Sequence, residues 1–367
     1  MQAFPIQIKP DEAAKELAEM NKKVVRGLQT LSSLTNDDVQ VGTAPKTAVF
    51  QLDKMVLYRH TPVVDEKDLF PIPVLISYAL VNRPSVADLQ ENRSLIRNLL
   101  KLGIDVYLID WGYPTRADRW LTMGDYVNSY IDGCVDYMCD AHGLDQINLL
   151  GICQGGTMSL CYTSLHPEKI KNLIVMVTPV DFHARTNEEV VPPMLNTWGA
   201  GLDADLMIDA MGNVPGDVMN FGFLMLQPFN LNIQKYTDMV DIMEDQDKLL
   251  NFLRMEEWIF DSPDQAGEMF RQFIKDFFQQ NKLIKGEVEL DGQRVNLQNI
   301  KQPVLNIYAE KDHLVPPPCS QALRHYVGAE DYTEKEFPVG HIGMYVSGKA
   351  QRDLAPTIAD WIRAHAE

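Results

Sequence analysis

The stretch Gly151–Gly156, GICQGG in one-letter code, decides the fold of this chain. It follows the run Ile147–Leu150, which predicts a buried strand, and it leads into the stretch Gly155–His166, which predicts a helix. A sharp strand-to-helix turn strains its central residue, so the residues two positions before and after must be small. Glycine stands at both positions. The pattern therefore predicts that Cys153 is a nucleophile, with helix N–H groups and the helix dipole favouring its thiolate.

Short apolar runs rich in Val and Ile recur on both sides of this turn, with helical patterns between them. Such runs suit central strands that are covered on both faces. Alternation of strand and helix implies a mostly parallel sheet with right-handed crossovers. Together with the turn at Cys153, this predicts an α/β protein of the α/β-hydrolase fold. The predicted strands are 49–58 (a strand or hairpin), 74–78, 105–109, 147–150, 173–177, 304–308 and 332–337, and the predicted helices are 88–102, 123–142 and 155–166.

The alternation stops after Asp181 and resumes near Pro303. Between them the chain is rich in Met, Phe, Asn and Asp, with helical patterns at 239–259 and 265–280. We predict an inserted, largely helical cap at 183–296 on an α/β core formed by 46–182 and 297–367. Its Met and Phe side chains form either a plastic apolar lining for the site or simply the core of a helical subdomain.

Residues 1–45 are predicted to form a separate N-terminal helical segment. From Asp11 to about Leu34, apolar residues recur every three or four positions and so share one helix face. We expect this face to pack on the chain's own domain, with docking on a partner as the alternative. The residues of this face are Leu17, Met20, Val24, Leu28 and Leu31.

Composition excludes several classes of function. The 367 residues carry a net charge of -18 without a basic cluster, which argues against nucleic-acid binding. No apolar run is long enough to cross a bilayer, and Met1–Lys9 lacks the pattern of a secretory signal, so we expect a soluble cytoplasmic protein. The five cysteines are odd in number and form no metal-type pairs, which argues against a disulfide framework or a metal site.

Chain order supplies partners for Cys153, because the fold uses a nucleophile, then an acid, then a histidine. Asp312 lies just after the predicted strand that ends at Tyr308, where the acid belongs. His341 lies in a glycine-flanked loop after the last predicted strand, where the base belongs. His313 is the competing histidine, but it could hardly share the carboxylate of its direct neighbour in the required geometry. We therefore predict a catalytic triad of Cys153, Asp312 and His341.

Acyl transfer on this fold also needs an oxyanion hole made of backbone N–H groups. One donor is predicted to be Gln154, directly after the nucleophile. The second should come from the loop Leu80–Pro84, which follows a predicted strand, and Val81 is the residue chosen. Arg83 in the same loop is a candidate either for contacts to ligand phosphates or for a surface salt bridge.

Several stretches resemble polyhydroxyalkanoate synthases. The length, the short N-terminal segment and the stretch Phe252–Asp261 resemble the class III catalytic subunit of that family. The resemblance covers nearly the whole chain without a departure at the triad, and Met344 is a conservative variation. The other stretches that carry the resemblance are Tyr78–Pro84, Leu108–Pro114, Gly151–Gly156 and Gly340–Lys349.

The resemblance implies a reaction that spacing alone does not reveal. It implies an (R)-3-hydroxyacyl-coenzyme A substrate, with the four-carbon 3-hydroxybutyryl thioester expected. His341 would deprotonate Cys153, the acyl group would pass to sulfur, and a 3-hydroxyl of another unit would extend a polyester. Coenzyme A is then the leaving group, and no cofactor or metal is expected. The resemblance further implies that Asp312 helps to activate the hydroxyl, a companion synthase subunit, association with the growing polyester and the polymer granule surface, and a homodimer or hetero-oligomer.

Two other functions stay open at this point. A cysteine-dependent esterase, lactonase or thioesterase would share the fold and triad and would differ only in using water as the acceptor. A non-catalytic binding module is the second alternative, because some proteins of a catalytic fold have lost their chemistry. The presence of Cys153, Asp312 and His341 together argues against a binding module. A cap that excludes water from the acyl-enzyme would favour a polymerase over a thioesterase.

Overall fold

A central sheet of eight strands organises the computed structural model, which describes residues 10–185, 194–226, 229 and 233–366. The strands of the chain are β1 (Lys46–Leu52), β2 (Met55–His60), β3 (Val74–Ser77), β4 (Asp88–Gln90), β5 (Arg93–Ser94), β6 (Val106–Asp110), β7 (Ile147–Ile152), β8 (Ile170–Met176), β9 (Glu289–Leu290), β10 (Gln293–Arg294), β11 (Val304–Ala309) and β12 (Tyr332–Phe337). The order in the sheet is β1-β2-β6-β3-β7-β8-β11-β12. Strand β2 is antiparallel to both neighbours, and the pairs from β6 to β12 are parallel. The predicted mostly parallel sheet is therefore confirmed.

Helices cover both faces of this sheet. The α-helices of the described residues are α1 (Pro10–Ser33), α2 (Leu95–Lys101), α3 (Asp132–His142), α4 (Gln154–Leu165), α5 (Met194–Gly201), α6 (Ala204–Met211), α7 (Gly216–Leu224), α8 (Lys235–Ile242), α9 (Gln246–Phe260), α10 (Gly267–Gln272), α11 (Lys282–Lys285), α12 (Pro317–Gln321), α13 (Gly343–Val346) and α14 (Gly348–Ala364). Neighbouring strand residues point to opposite faces, so Leu75 packs in a core with α3 and α4, whereas Ile76 packs in a core with α2 and α14. This double burial explains the continuous apolar runs of the central strands.

One predicted helix is shorter than expected. The pattern at 88–102 predicts a continuous helix, but the chain first forms the β4–β5 hairpin, and α2 begins only at Leu95. Hydrogen bonds of the Asp88 carboxylate explain the difference, because it accepts from the N–H of Ala44, outside the segment, at 2.6 Å and from Arg97 Nε at 2.9 Å. Ser94 then caps α2 by accepting from the N–H of Arg97. The helix prediction for 88–94 is thus wrong.

Residues 177–303 lie between β8 and β11, which are nevertheless neighbours in the sheet. In the described part of this segment the strands are only β9 and β10, which form their own hairpin, and the rest is mainly helical. The pattern at 239–259 predicts one helical piece, but Asp245 caps a new helix, so α8 and α9 are separate. The boundaries of the cap at 183 and 296 stay a prediction, and residues 186–193 lie outside the described residues.

The N-terminal helix α1 packs on the chain at only a few points. Gly27 lies against Met243, and the ion pair between Lys23 and Asp241 joins α1 to α8. Most of the predicted apolar face stays exposed, including Leu17 and Leu28, whose exposed fractions are 60% and 52%. The expectation that this face packs on its own domain is therefore wrong for most of its length. None of the helices that the structure describes is long and apolar enough to cross a membrane.

Candidate active site

Cys153 occupies the turn between β7 and α4 in a strained backbone conformation. Its φ and ψ are 54° and -124°, a combination that side chains other than glycine rarely adopt and that costs about 1–3 kcal/mol. Backbone hydrogen bonds hold the turn: the Cys153 N–H donates to the Met176 carbonyl at 2.9 Å, and the Cys153 carbonyl accepts from Gly156 at 2.9 Å. The thiol is therefore presented at the carboxyl edge of the sheet, at the N-terminus of α4.

The glycines around Cys153 are required by close approach. A Cβ atom on Gly151 would lie 2.6 Å from the Cα of Gly156, and one on Gly155 would lie 2.2 Å from the carbonyl oxygen of Ser77. Both distances are far below van der Waals contact, and the obstructing atoms belong to the backbone. Glycine at these positions thus lets α4 pack directly behind β7 and β3.

Asp312 and His341 meet at the same edge of the sheet. Asp312 follows β11, and its Oδ2 accepts a hydrogen bond from Nδ1 of His341 at 2.7 Å. Its Oδ1 accepts from the N–H groups of Leu314 and Val315 at 2.9 Å and 2.8 Å. Both side chains are buried. Because Asp312 occupies Nδ1, the other ring nitrogen of His341 is left for Cys153.

The charges around His341 favour its protonated form. Burial alone would lower the pKa of His341, but the negative charges of Asp312 and of the Cys153 thiolate, with hydrogen bonds to both, raise that pKa well above its ordinary value. An imidazolium here can pair with the thiolate, and it can also protonate a leaving group. The arrangement therefore supports nucleophilic catalysis by Cys153.

His313 lies apart from this hydrogen-bonded chain. It is exposed, and no hydrogen bond joins it to Asp312 in the part of the chain that the structure describes. Desolvation and the nearby His341 lower the pKa of His313, although Asp312 raises it. Because His313 lacks the hydrogen bond to Asp312 that orients His341, it fits the role of base less well than His341 does.

The two predicted oxyanion donors come from adjacent elements. Gln154 is the first residue of α4, and its side-chain Oε1 accepts from the backbone N–H of Leu80 at 3.1 Å. Val81 follows Leu80 directly, so this hydrogen bond holds the loop after β3 against the start of α4. The backbone N–H groups of Val81 and Gln154 have no hydrogen-bond partner among the described residues. Their role as an oxyanion hole stays a prediction.

Two buried tyrosines beside Cys153 escaped the sequence analysis. The rings of Tyr78 and Tyr345 meet edge to face with centroids 6.2 Å apart. Burial and the charge of Cys153 raise the pKa of both hydroxyls. The two hydroxyls interact and shift each other's pKa. The Tyr345 hydroxyl is nevertheless buried, and no described group lies in regular hydrogen-bond geometry to it. Both tyrosines lie in motifs that carry the family resemblance, which was the available signal.

The Arg83 side chain forms an ion pair, so its guanidinium is not a free phosphate-binding group. Its guanidinium pairs with Asp110 and lies over the ring of Tyr113, 4.3 Å from the centroid. The side chains of Arg83 and Asp110 are only 16% and 14% exposed, so the pair is partly buried rather than on the surface. Of the two alternatives for Arg83, the salt bridge is the one observed.

The chemistry of the other cysteines separates them from Cys153. Burial raises the pKa of the Cys134 and Cys161 thiols, which keeps them protonated and unreactive. Cys134 lies in α3 and Cys161 within α4, both in the core. Neither has the turn geometry or the histidine that accompany Cys153.

Comparison with known proteins agrees with this architecture. Residues 73–347 match the α/β hydrolase fold family. The chain is 58% identical to the poly(3-hydroxyalkanoate) polymerase subunit PhaC of Synechocystis sp., over 99% of this chain and 96% of the relative. It is 54% identical to the same subunit from Allochromatium vinosum, over 98% and 99%. A solved structure of a monoacylglycerol lipase from Paleococcus ferrophilus has a TM-score of 0.52 at 18% identity, covering 84% of this chain and 99% of the lipase, and this likeness shows the fold alone. The chain therefore belongs to the poly(3-hydroxyalkanoate) polymerase subunit PhaC family, a family of acyltransferase enzymes, and has the α/β-hydrolase fold.

Proposed function

We propose that this protein polymerises (R)-3-hydroxyacyl-coenzyme A, with 3-hydroxybutyryl-coenzyme A as substrate, into a polyester through an acyl group bound to Cys153. The observation that supports this proposal most directly is the hydrogen bond of 2.7 Å between Asp312 and His341. His341 also interacts with Cys153, and the chain belongs to the polymerase family. A thiol nucleophile suits the substrate, because exchange between two thioesters is nearly isoenergetic and leaves the acyl group reactive.

Acylation begins when Cys153 transfers its proton to His341. The thiolate attacks the thioester carbonyl, and the negative charge that develops on oxygen is met by the N–H groups of Val81 and Gln154. The bond between the carbonyl carbon and the coenzyme A sulfur then breaks, and His341 returns the proton to the leaving thiolate. Coenzyme A is thus a product rather than a cofactor.

Elongation uses the 3-hydroxyl of another acyl unit. This hydroxyl attacks the carbonyl of the acyl-enzyme while its proton passes to His341, an ester bond forms, and Cys153 leaves and regains a proton. Asp312 acts on the hydroxyl through His341, because both carboxylate oxygens already accept hydrogen bonds within the protein. This geometry argues against direct proton abstraction by Asp312.

The cap must keep water away from the acyl-enzyme for polymer to form. Its described helices α5–α11 contribute buried aromatic side chains, among them Trp258. If opening of the cap lets water compete with the hydroxyl, proteolysis within 183–296 should raise the ratio of free hydroxy acid to polymer. An unchanged ratio would count against the shielding role.

The exposed apolar side chains support assembly with other surfaces. The N-terminal helix exposes Leu17 and Leu28, and the cap exposes Phe221 and Phe229, with exposed fractions of 65% and 75%. Apolar surface of this extent is typical of protein or lipid-like contacts. We propose that these faces bind a companion synthase subunit, a second copy of the chain or the granule surface. Mass measurement in solution with and without a companion subunit tests this assembly.

A polymerisation assay separates this function from the hydrolytic alternative. Purified protein with (R)-3-hydroxybutyryl-coenzyme A should release coenzyme A and accumulate polymer, with and without the companion subunit to measure its effect. Accumulation of monomeric 3-hydroxybutyrate alone would instead identify a cysteine-dependent thioesterase. The Cys153→Ala variant should release no coenzyme A, while Cys139→Ala, which changes a thiol outside the site, should behave like the wild type.

A further inference from the structure

The C-terminal end of helix α9 holds the loop that carries Val81. The indole Nε1 of Trp258 donates to the carbonyl of Arg83 at 2.7 Å, and Nδ2 of Asn82 donates to the carbonyl of Ile259 at 2.9 Å. Trp258 is buried with only 4% of its surface exposed. These two hydrogen bonds join the segment inserted after β8 to the loop that follows β3.

Hydrogen bonds on both sides of Val81 therefore fix its position in the loop. On one side, Gln154 of α4 accepts from the N–H of Leu80 at 3.1 Å. On the other side, Asn82 and Arg83 bond to α9. Asn82 has a φ of 56°, so the backbone turns sharply directly after Val81. The direction of the Val81 N–H is consequently determined by α4 and α9 together.

Further contacts fix α9 to its surroundings. Asn220 of α7 donates to the same Ile259 carbonyl at 2.6 Å, and its Oδ1 lies 3.3 Å from Nδ2 of Asn82. Near the middle of α9, Arg254 donates to the carbonyl of Asp38 at 2.7 Å and to Oε1 of Gln90 at 3.0 Å. Helix α9 is thus anchored to the segments around 38 and 90 as well as to the loop. Although it lies within the predicted cap, hydrogen bonds fix it from its middle to its C-terminal end.

We propose that Trp258 and Asn82 are positioning residues that aim the Val81 N–H at the developing oxyanion. This inference rests on the proposed function, in which Val81 is one of the two donors. The hydrogen bonds between α9 and the loop fix the loop, and both donors of the oxyanion hole are then aligned. Without the hydrogen bonds made by Trp258 and Asn82, the Val81 N–H loses this orientation and acylation slows.

The expected kinetic effect follows from how oxyanion donors act. A donor stabilises the transition state more than the bound substrate, so misaligning it lowers kcat and leaves KM nearly unchanged. Loss of one donor lowers kcat by about 10²–10³-fold. Because Trp258→Phe and Asn82→Gly misdirect the donor without removing it, we expect a decrease of about 10–100-fold in each. Glycine is chosen at 82 because it tolerates the positive φ.

A second reaction of Cys153 separates this role from a general structural role. Alkylation by iodoacetamide requires the thiolate but forms no oxyanion, so it reports the Cys153 and His341 pair alone. In both variants the alkylation rate at Cys153, measured by mass spectrometry, should stay within about twofold of the wild type while coenzyme A release falls. Tyr113→Phe is the matched control, because it removes a hydrogen bond to Asp261 at the same end of α9 and keeps the ring that lies under Arg83.

The outcomes distinguish the inference from the proposed function. If the wild type releases no coenzyme A from (R)-3-hydroxybutyryl-coenzyme A, the proposed function is wrong. If the wild type is active and both variants release coenzyme A at the wild-type rate, only the inference is wrong. A parallel loss of alkylation, or an equal loss in Tyr113→Phe, would also overturn it, since either result indicates a general disturbance of the site. Two separate variants guard against a failure of one to fold.

Discussion

Asp312 uses each carboxylate oxygen for a different purpose: Oδ1 accepts two backbone N–H groups, and Oδ2 accepts Nδ1 of His341 at 2.7 Å. The two backbone donors prevent the carboxylate from rotating, so the histidine is presented in one tautomer and one orientation. The other ring nitrogen then faces Cys153. In the proposed triad, Asp312 is thus a rigid support for His341.

Replacing this acid by its amide should disable the site without unfolding the protein. In Asp312→Asn, the amide would favour the opposite tautomer of His341 by donating to Nδ1, so proton transfer from Cys153 would fail. We expect coenzyme A release from (R)-3-hydroxybutyryl-coenzyme A to fall by about 10³–10⁴-fold. Glu310→Gln is the control, since Glu310 is an exposed carboxylate just before it in the chain. Equal activity in the two variants would contradict the role of Asp312.

The sequence predicted that Cys153, Asp312 and His341 lie close together because of a property of the fold. The carboxyl ends of parallel strands meet at one edge of a sheet, so residues that follow β7, β11 and β12 are brought together whatever lies between them. Local pattern could not predict the β4–β5 hairpin, because the Asp88 carboxylate is satisfied by Ala44, which is distant in sequence. It likewise could not predict that Tyr78 and Tyr345 would face Cys153, or that Trp258 would reach the loop after β3. Such contacts depend on tertiary packing.

His60 should make the protein sensitive to acid. It is 1% exposed, neither ring nitrogen has a hydrogen-bond partner among the described groups, and burial with the nearby charge of Lys46 lowers its pKa to about 4. The unfolded chain binds a proton near pH 6.5, so stability should fall as the pH drops from there towards 4, by an amount on the order of 3 kcal/mol.

Denaturant unfolding at pH 7 and pH 4.5 tests this effect of His60. The decrease in the free energy of unfolding should be smaller in His60→Phe than in the wild type, because phenylalanine cannot be protonated. For each protein, the free energy of unfolding at pH 4.5 is subtracted from that at pH 7. An effect of the substitution on packing that is the same at both pH values therefore cancels. An equal decrease in both proteins would show that other groups cause the acid sensitivity.

A methyl group at Gly155 should be incompatible with the packing of α4. Its Cβ would lie 2.2 Å from the Ser77 carbonyl and 2.5 Å from that of Tyr78, and neither backbone atom can move cheaply. We expect Gly155→Ala to lower the free energy of unfolding by about 3 kcal/mol or more. Gly348→Ala, at the start of α14, meets nothing within 4 Å and should have little effect. Thermal unfolding of the two variants is the measurement, and similar melting temperatures would contradict the packing argument.

The buried hydroxyl of Tyr345 should contribute nothing favourable to stability. The Tyr345 hydroxyl interacts with that of Tyr78 but lacks a partner in regular hydrogen-bond geometry, and a buried hydroxyl without such a partner costs about 1–3 kcal/mol. Tyr345→Phe should therefore leave the free energy of unfolding unchanged or raise it by about 1 kcal/mol. Tyr162→Phe provides the contrast, because Tyr162 is also a buried residue and its hydroxyl donates to Asp132 at 2.8 Å. Its loss should lower the free energy of unfolding by about 1.5–3 kcal/mol, as expected for a hydrogen bond to a charged group. Denaturant titration of both variants decides the matter, and a comparable destabilisation in the two would mean that Tyr345 has a hydrogen-bond partner in solution.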